Sequence, residues 1–163
     1  MILVALGANL PDDAGRTPLQ ICSAAVERVV QRSGMPLVAC SPWYRSSPVP
    51  PSGQPDYVNG VMHLAGSTEP RAFLRLLHGI EAESGRARSV PNAARTLDLD
   101  LLAVDDLLIA GPDLVLPHPR LHQRAFVLAP LQDVAPNWVH PATGVGVAAL
   151  LAAADRTGLS PLA

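Results

Sequence analysis

The sequence predicts an α+β fold, in which helices pack on one face of an antiparallel sheet. Three observations support this prediction. Apolar segments with the two-residue period of strands are interspersed with segments that have the longer period of helices. Turn-forming residues separate these segments, with 17 prolines and 12 glycines among 163 residues. Hydrophobic residues make up 48% of the chain, which is enough to form a buried core.

The first half of the chain predicts three strands and one helix. The predicted strands cover residues 1–6, 36–44 and 57–65, and the helix covers residues 18–32. Thr17 is the expected N-cap because Pro18 suits the first helical position, and the helix should end near Gly34. Residues 45–55 form a long loop that is stiffened by its prolines, because proline fixes φ.

The second half predicts a further helix, a strand and several shorter elements. The helix should begin at Glu69-Pro70 and end near Ser84, with an apolar stripe at helical spacing. That stripe consists of Phe73, Leu74, Leu77 and Ile80. After a polar loop, the predicted elements are strands over 97–102 and near 104–109, an edge segment over 114–116, and helices over 125–134 and 147–154.

This order of elements, β-α-β-β-α-β, predicts the split βαβ or ferredoxin-like arrangement with additions at the C-terminal end. The length is appropriate for one domain, residues 1–163, and too short for two ordinary domains. If both helices cover one face of the sheet, the opposite face should be free to carry polar side chains.

The strand from Leu97 to Leu101 alternates strictly between leucine and aspartate. Asp98 and Asp100 should therefore share the free face, with Cα atoms roughly 6.5–7 Å apart, the length of two strand steps. Two neighbouring carboxylates repel each other unless a cation lies between them, and Mg²⁺ commonly binds one or two carboxylates together with substrate phosphates. The alternative is a solvated strand face with two ordinary acids.

The composition excludes several classes of function. The chain has no lysine, so it can have neither a Walker A loop nor Schiff-base chemistry, and phosphates must be bound by arginine, histidine, backbone or metal. The net charge of −2 argues against a general nucleic-acid binder, and no apolar run is long enough to span a membrane.

The apolar residues 1–6 at the start of the sequence are interpreted as a strand rather than a signal peptide. Cys22 and Cys40 are expected to be buried free thiols in the cytoplasm.

Two further segments carry polar residues that a core does not need. Asn59 lies within a predicted strand, where its amide could bind a flat heterocycle, although a turn-capping asparagine is the alternative. Glu81 lies near the end of a helix, followed by Arg86 and Arg88 in a loop. These arginines could close on phosphates, or they could simply be cations at a helix C-terminus.

The third such segment is Pro117-His118-Pro119-Arg120, followed by Arg124. Prolines on both sides restrict the backbone of His118, which makes it a good hydrogen-bond donor to a phosphate and a candidate proton carrier, although it could also be an inert turn. Acids for a metal combined with arginines for phosphates are typical of a phosphoryl-transfer site.

The chain resembles the 6-hydroxymethyl-7,8-dihydropterin pyrophosphokinase family of the folate pathway, and the resemblance runs essentially from end to end. Its most specific part is the run Arg95-Thr96-Leu97-Asp98-Leu99-Asp100 together with Pro117-His118-Pro119-Arg120. The other matching segments are Leu6 to Leu10, Ser41 to Asn59, Ile80-Glu81, Gly85 to Arg88, Arg124 to Leu128 and Pro130-Leu131.

The resemblance implies that ATP and 6-hydroxymethyl-7,8-dihydropterin give AMP and the pterin pyrophosphate ester, with two Mg²⁺ ions held by Asp98 and Asp100. The implied catalytic residues are Arg86, Arg95, Asp98 and Asp100. The implied ATP-binding residues are His78, Glu81, Arg86, Arg88, Arg95, Leu101, His118 and Arg124. The implied pterin-binding residues are Ser46, Ser47, Pro48, Val49, Tyr57, Asn59, Asp98 and Phe126. A monomer is expected.

The family also implies that loops over roughly 7–16, 45–55 and 85–94 close over the substrates. The chain departs from the family pattern at Ala8, His78, Asn92 and Ala94, where serine, glutamine, tryptophan and proline are common.

Two alternatives for the function stay open. The first is a ferredoxin-like module that binds a nucleotide or pterin without turnover. The second is another Asp-X-Asp metal enzyme, such as a nuclease or glycosyltransferase.

Overall fold

The fold is taken from a computed structural model, which describes residues 1–48, 50–84 and 96–162. Its strands are β1 (Ile2–Ala8), β2 (Leu37–Cys40), β3 (Tyr44–Ser46), β4 (Tyr57–Leu64), β5 (Asp98–Val104), β6 (Ile109–Ala110), β7 (Val115–Leu116) and β8 (Ser160–Pro161). Its α-helices are α1 (Pro18–Ser33), α2 (Pro70–Glu83), α3 (Ala125–Val134) and α4 (Val147–Ala153), and Leu121–Gln123 form a 3₁₀ turn.

The main sheet has the strand order β5-β1-β4-β3-β8, and β2 also pairs with β4. Each of these pairings is antiparallel, as predicted. The predicted second strand is divided into β2 and β3 at Ser41-Pro42. Pro42 has no N–H to donate to β4, and the Ser41 hydroxyl accepts the N–H of Val61 at 3.0 Å and donates to the carbonyl of Pro42 at 2.8 Å.

The ends of α1 follow the local signals in the sequence. Thr17 and Gln20 form a reciprocal capping box, with N···O distances of 3.3 and 2.9 Å. Gly34 ends the helix in the left-handed conformation, with φ at 68°. α2 begins as predicted after Glu69, whose carboxylate accepts the N–H groups of Arg71 and Ala72.

α1 and α2 cover one face of the sheet and enclose a first core. Leu97, Leu99 and Leu101 face this core, as their alternation predicts. The other members include Ile2, Val4, Leu6, Val29, Met62, Leu64, Phe73, Leu77 and Ile80. Cys22 is buried in it as expected, but Cys40 is exposed, so the expectation of two buried thiols was wrong for Cys40.

The expectation that the opposite face is free was wrong. α3 and α4 pack over part of it and form a second core with residues that include Leu3, Ala5, Val61, Leu102, Leu121, Leu128, Leu131 and Trp138. A β-bulge in β5 turns both Leu102 and Ala103 towards this side. All seven residues of β1 are buried, so its continuous apolar run was the available signal for a strand covered on both faces.

Polar residues occupy the end of this second face that α3 and α4 leave open. Along β1, Leu3 and Ala5 belong to the second core, and Gly7 follows on the same side. Asp98 of β5 and Asn59 of β4 pair with Gly7 from its two sides. No helix in the described part of the chain is long and apolar enough to cross a membrane.

Candidate active site

A cavity of about 450 Å³ lies at the open end of the second face. We call it the first cavity. Its walls come from β1, β4, β5, the loop after β3 and the start of α3. Ten of the predicted site residues line it: Ser46, Ser47, Pro48, Tyr57, Asn59, Asp98, Asp100, His118, Arg124 and Phe126. The long-range pairing of the sheet therefore brings together residues that are up to 80 positions apart in the sequence.

A second cavity of about 250 Å³ adjoins the first along β5. His78 and Leu101, which the family resemblance assigns to the nucleotide, line this second cavity. Asp100, His118 and Pro119 line both cavities. The site therefore has two compartments, and Asp100 and His118 lie where they meet.

Asp98 and Asp100 point to the second face of β5, and both are half-buried. Asp98 pairs with Gly7, which has no side chain to fill the space beside it, and Asp100 pairs with Ala5. The two carboxylates therefore line the cavity and are only partly exposed, which favours a role in the site over an ordinary solvated strand face.

β5 lies at the edge of the sheet, and Glu81 of α2 holds this edge. The N–H of Leu99, between the two aspartates, donates to Oε2 of Glu81 at 2.9 Å. The Glu81 side chain is completely buried, and it lines neither cavity. The nucleotide contact implied for Glu81 stays a prediction. The structure gives this carboxylate a hydrogen bond to the backbone that carries the acid pair.

His118 is fixed against β5 by its backbone, since its N–H donates to the carbonyl of Leu102 at 2.8 Å. Nδ1 accepts the N–H of Arg120 at 3.2 Å, so the proton of the neutral ring lies on Nε2. Nε2 is 4.0 Å from Oδ2 of Asp100. Burial and the charge of Arg124 lower the pKa of His118 to about 4, against a smaller opposing effect of Asp98. At neutral pH this imidazole is therefore a hydrogen-bond donor without charge.

Asn59 lies within β4, so the turn-capping alternative is excluded. The residue is 7% exposed, and its side-chain carbonyl accepts the hydroxyl proton of Ser46 on β3. This hydrogen bond orients the amide group, whose nitrogen lies on the side of Gly7. Asn59 is thus a pre-oriented polar group in the wall of the first cavity.

Another part of the wall of the first cavity combines an aromatic ring with a positive charge. The guanidinium of Arg124 lies 5.5 Å from the ring centroid of Phe126, within the range of a cation–π contact. Phe126 is in the first turn of α3, and Tyr57 at the start of β4 also lines the cavity. The cavity therefore offers both a flat apolar surface and a cation.

Among the described cavity residues that were not assigned a role from the sequence are Gly7, Gln54 and Arg120. Gly7 and Gln54 line the first cavity, and the Gln54 side chain accepts the amide of Asn9 at 3.1 Å. Arg120 lines the same cavity and is exposed. Its position two residues after His118 was the available signal. The predicted site residues Val49, Arg86, Arg88 and Arg95, and the departures at Asn92 and Ala94, lie outside the described residues.

The donor set of the site fits a hard divalent cation that takes most of its ligands from elsewhere. Asp98 and Asp100 supply carboxylate oxygens at the cavity. The described residues contain no group of three or more histidine, cysteine or acidic side chains that could hold a metal ion by themselves. Mg²⁺ is commonly bound through one or two carboxylates, with water and substrate phosphates completing its octahedron.

Comparison with known proteins identifies relatives over most of the chain. A family model described as 7,8-dihydro-6-hydroxymethylpterin-pyrophosphokinase (HPPK) matches residues 3–136. The 2-amino-4-hydroxy-6-hydroxymethyldihydropteridine pyrophosphokinase of Synechocystis sp. is 37% identical, over 99% of this chain and 80% of that protein. The protein of the same name from Pseudomonas aeruginosa is 41% identical, over 99% of this chain and 96% of its own length.

Solved structures share the fold. The crystal structure of wild-type Plasmodium falciparum HPPK-DHPS aligns with a TM-score of 0.70 at 12% sequence identity. The alignment covers 93% of this chain and 44% of the Plasmodium falciparum chain, so this protein spans less than half the length of that relative.

Proposed function

This chain belongs to the 7,8-dihydro-6-hydroxymethylpterin-pyrophosphokinase family, and from the geometry of its site we propose how it carries out the family reaction. The enzyme is a diphosphokinase of folate biosynthesis. It transfers pyrophosphate from ATP to 6-hydroxymethyl-7,8-dihydropterin, giving AMP and the pterin pyrophosphate ester.

The observation that carries the proposal is that Asp100 and His118 line both cavities. A transfer between two substrates needs both to be held with their reacting atoms close together, and two adjoining compartments can do this. We assign the pterin to the first cavity and the nucleotide to the second, with the phosphates lying across their junction. The hydroxymethyl group of the pterin then approaches the β-phosphorus near Asp100 and His118.

The pterin is recognised by groups that match a flat, polar heterocycle. Asn59, oriented by Ser46, provides hydrogen bonds to the edge of the ring. Phe126 and Tyr57 supply the apolar surface. Ser47, Pro48 and Val49 are proposed to complete the pocket on the loop after β3.

The phosphates are bound by arginines and by His118. Nε2–H of neutral His118 donates to a phosphate oxygen, and Arg124 and Arg120 stabilise the negative charge that spreads over the transferred group. His78 and Leu101 contact the nucleotide in the second cavity. We keep Glu81, Arg86, Arg88 and Arg95 as proposed nucleotide or catalytic residues.

Asp98 and Asp100 would hold Mg²⁺, which we propose binds as two ions together with ATP. When bound, Mg²⁺ neutralises charge on the triphosphate and orients it for in-line transfer. The chain's own contribution is to keep both carboxylates on one face of β5. β5 is in turn held by Glu81 and by the hydrogen bond from the backbone of His118.

The decisive experiment is substitution of the two aspartates. Asp98→Ala and Asp100→Ala are each expected to lose most pterin-dependent AMP release, by about 100-fold or more, while their thermal unfolding stays close to that of the parent protein. Asp106→Ala, at an exposed position beyond the end of β5, is the matched control and should leave turnover unchanged. Near-normal turnover in either aspartate variant would remove the acid pair from the mechanism.

The same assay separates the alternatives. Binding of an ATP analogue without formation of AMP when pterin is added would favour a non-catalytic module. Consumption of a sugar nucleotide faster than ATP would favour another Asp-X-Asp enzyme.

We further propose a topology, a domain count, an oligomeric state and a cellular location for the molecule. The observed strand order, with β2 and β3 together in the place of one strand, supports a ferredoxin-like βαββαβ core extended by α3, α4 and β8. We propose that residues 1–163 form one domain that acts as a monomer. Its two free cysteines support a location in the reducing cytoplasm.

A further inference from the structure

The C-terminal segment, residues 155–162, lies beyond the region that matches the family model and completes the edge of the sheet beside the first cavity. β8 pairs with β3, with Ser160 opposite Arg45 and Pro161 opposite Tyr44. The N–H of Leu162 donates to the carbonyl of Trp43 at 2.9 Å. β3 ends at Ser46, so this pairing holds the strand that leads directly into the cavity loop.

Gly158 of this segment contacts Ser47 directly. The N–H of Ser47 donates to the carbonyl of Gly158 at 3.2 Å. A Cβ on Gly158 would lie 2.5 Å from Oγ of Ser47, closer than real Cβ contacts, and 3.0 Å from its Cβ, tighter than most real contacts, so Ser47 would have to move. Gly158 also has φ at +77°, a conformation that favours glycine. Two independent features therefore favour glycine here.

Ser47 lies in the wall of the first cavity. Its neighbours Ser46 and Pro48 line the same cavity, and the Ser46 hydroxyl orients Asn59. A displacement of Ser47 would therefore also displace Ser46 and Pro48, its neighbours in the cavity wall. It would also disturb the hydrogen bond that fixes the Asn59 amide.

Hydrogen bonds within the segment stiffen it, and one of its side chains anchors it to the second core. The N–H of Thr157 donates to Oδ1 of Asp155 at 2.9 Å, and the N–H of Leu159 donates to the carbonyl of Arg156 at 3.1 Å. The side chain of Leu159 packs against the second core. The segment can therefore act as a fixed support rather than follow the loop.

We propose that the C-terminal segment positions the pterin side of the first cavity, and that Gly158 is a positioning residue for pterin binding, acting through Ser47. This inference rests on the proposed assignment of the first cavity to the pterin. Gly158 itself lines neither cavity, and its contact Ser47 lines the first cavity but not the second, so its effect should appear in the recognition of the pterin and not in that of ATP.

The test compares Gly158→Ala with Gly144→Ala. Both glycines have positive φ, +77° and +73°, but a Cβ on Gly144 would meet nothing within 4 Å. Backbone strain is thus similar, and only Gly158→Ala pushes Ser47. Gly158→Ala is expected to raise the KM for the pterin about fivefold or more with the KM for ATP nearly unchanged, whereas Gly144→Ala should leave both unchanged. Equal effects of the two variants, or equal rises in both KM values, would overturn the proposal.

A double variant tests the route through Ser47. Ser47→Gly removes the two atoms that a Cβ on Gly158 would meet, so Gly158→Ala should have a smaller effect on pterin KM in that background than in the parent protein. Additive effects would contradict the proposal.

If Gly158→Ala does not fold, Leu159→Ala loosens the contact of the segment with the second core instead and should also raise the KM for the pterin selectively. An unselective change would count against the segment's role.

The outcomes also distinguish this inference from the proposed function. If the parent protein releases no AMP in the presence of pterin, the proposed function fails. If the parent turns over normally and the Gly158 and Gly144 variants behave alike, only the positioning role fails.

Discussion

Gly7 lies between two strands that line the first cavity, and because it has no side chain the space beside it is open. It pairs with Asp98 on one side and with Asn59 on the other. A Cβ at this position would lie 3.2 Å from Nδ2 of Asn59, which is tighter than ordinary van der Waals contact. The lack of a side chain at Gly7 therefore leaves a gap between Asp98, proposed to bind metal, and the Asn59 amide, proposed to bind the pterin.

Gly7→Ala should weaken pterin binding. The added methyl group would press on the Asn59 amide, so we expect a rise of about tenfold in the KM for the pterin, with little change in the KM for ATP. Gly79→Ala on α2 is the matched control, because a Cβ there meets nothing within 4 Å and alanine favours helix. Steady-state kinetics of both variants check this, and an unchanged pterin KM for Gly7→Ala would show that the space is not used.

At the scale of elements, the acid pair depends on the placement of an edge strand. β5 has a neighbouring strand, β1, on one side only. On the outer side of β5, the buried carboxylate of Glu81 accepts the N–H of Leu99, as a neighbouring strand would do in the middle of a sheet. α2 therefore contributes to the site without lining the first cavity, by setting the position of the backbone between Asp98 and Asp100.

Replacing Glu81 should affect stability and catalysis together. Glu81→Leu leaves the Leu99 N–H without this acceptor, so we expect a loss of about 1–3 kcal/mol in the free energy of unfolding and a lower kcat. Glu81→Gln keeps a carbonyl acceptor and should lie between the parent and the leucine variant. Chemical denaturation and single-turnover AMP release measure the two effects.

Glu83→Gln controls for the loss of charge on the same helix. Glu83 forms ion pairs with Arg28 and Arg32 at the surface, where solvent screening makes their contribution to stability small. If Glu81→Leu behaves like Glu83→Gln, the hydrogen bond to β5 does not position the acid pair.

At the scale of the whole molecule, one sheet separates two cores. The first core lies under α1 and α2 and the second under α3 and α4. β1 contributes side chains to both, with Leu3 and Ala5 on one side and Ile2, Val4 and Leu6 on the other. This shared strand should couple the two cores into one cooperative unit, since neither can lose its packing without exposing β1.

Leu77→Ala and Leu128→Ala test this coupling. Both side chains are fully buried, Leu77 in the first core and Leu128 in the second. Each substitution should destabilise the protein by about 2–5 kcal/mol and move the midpoint of one common unfolding transition. Separate transitions in calorimetry, with each variant moving only one of them, would contradict a single domain.

The sequence by itself determined the elements whose signals are local. The ends of α1 follow from Thr17, Pro18 and Gly34, because caps act within one helical turn. The face of each residue from Leu97 to Leu101 follows from their alternation, since strand side chains alternate by geometry. The acid pair and the segment around His118 were therefore recognisable as candidate site residues before the fold was known.

Only the tertiary structure decided how these pieces meet. The pairing of β1 with both β4 and β5 brings Asn59 and Asp98 to the two sides of Gly7, and α3 and α4 cover the rest of that face. β8 is two residues long and depends on β3 for its partner, so no local pattern could predict it. Contacts between distant residues depend on which surfaces are buried together, and that is a property of the complete packed chain.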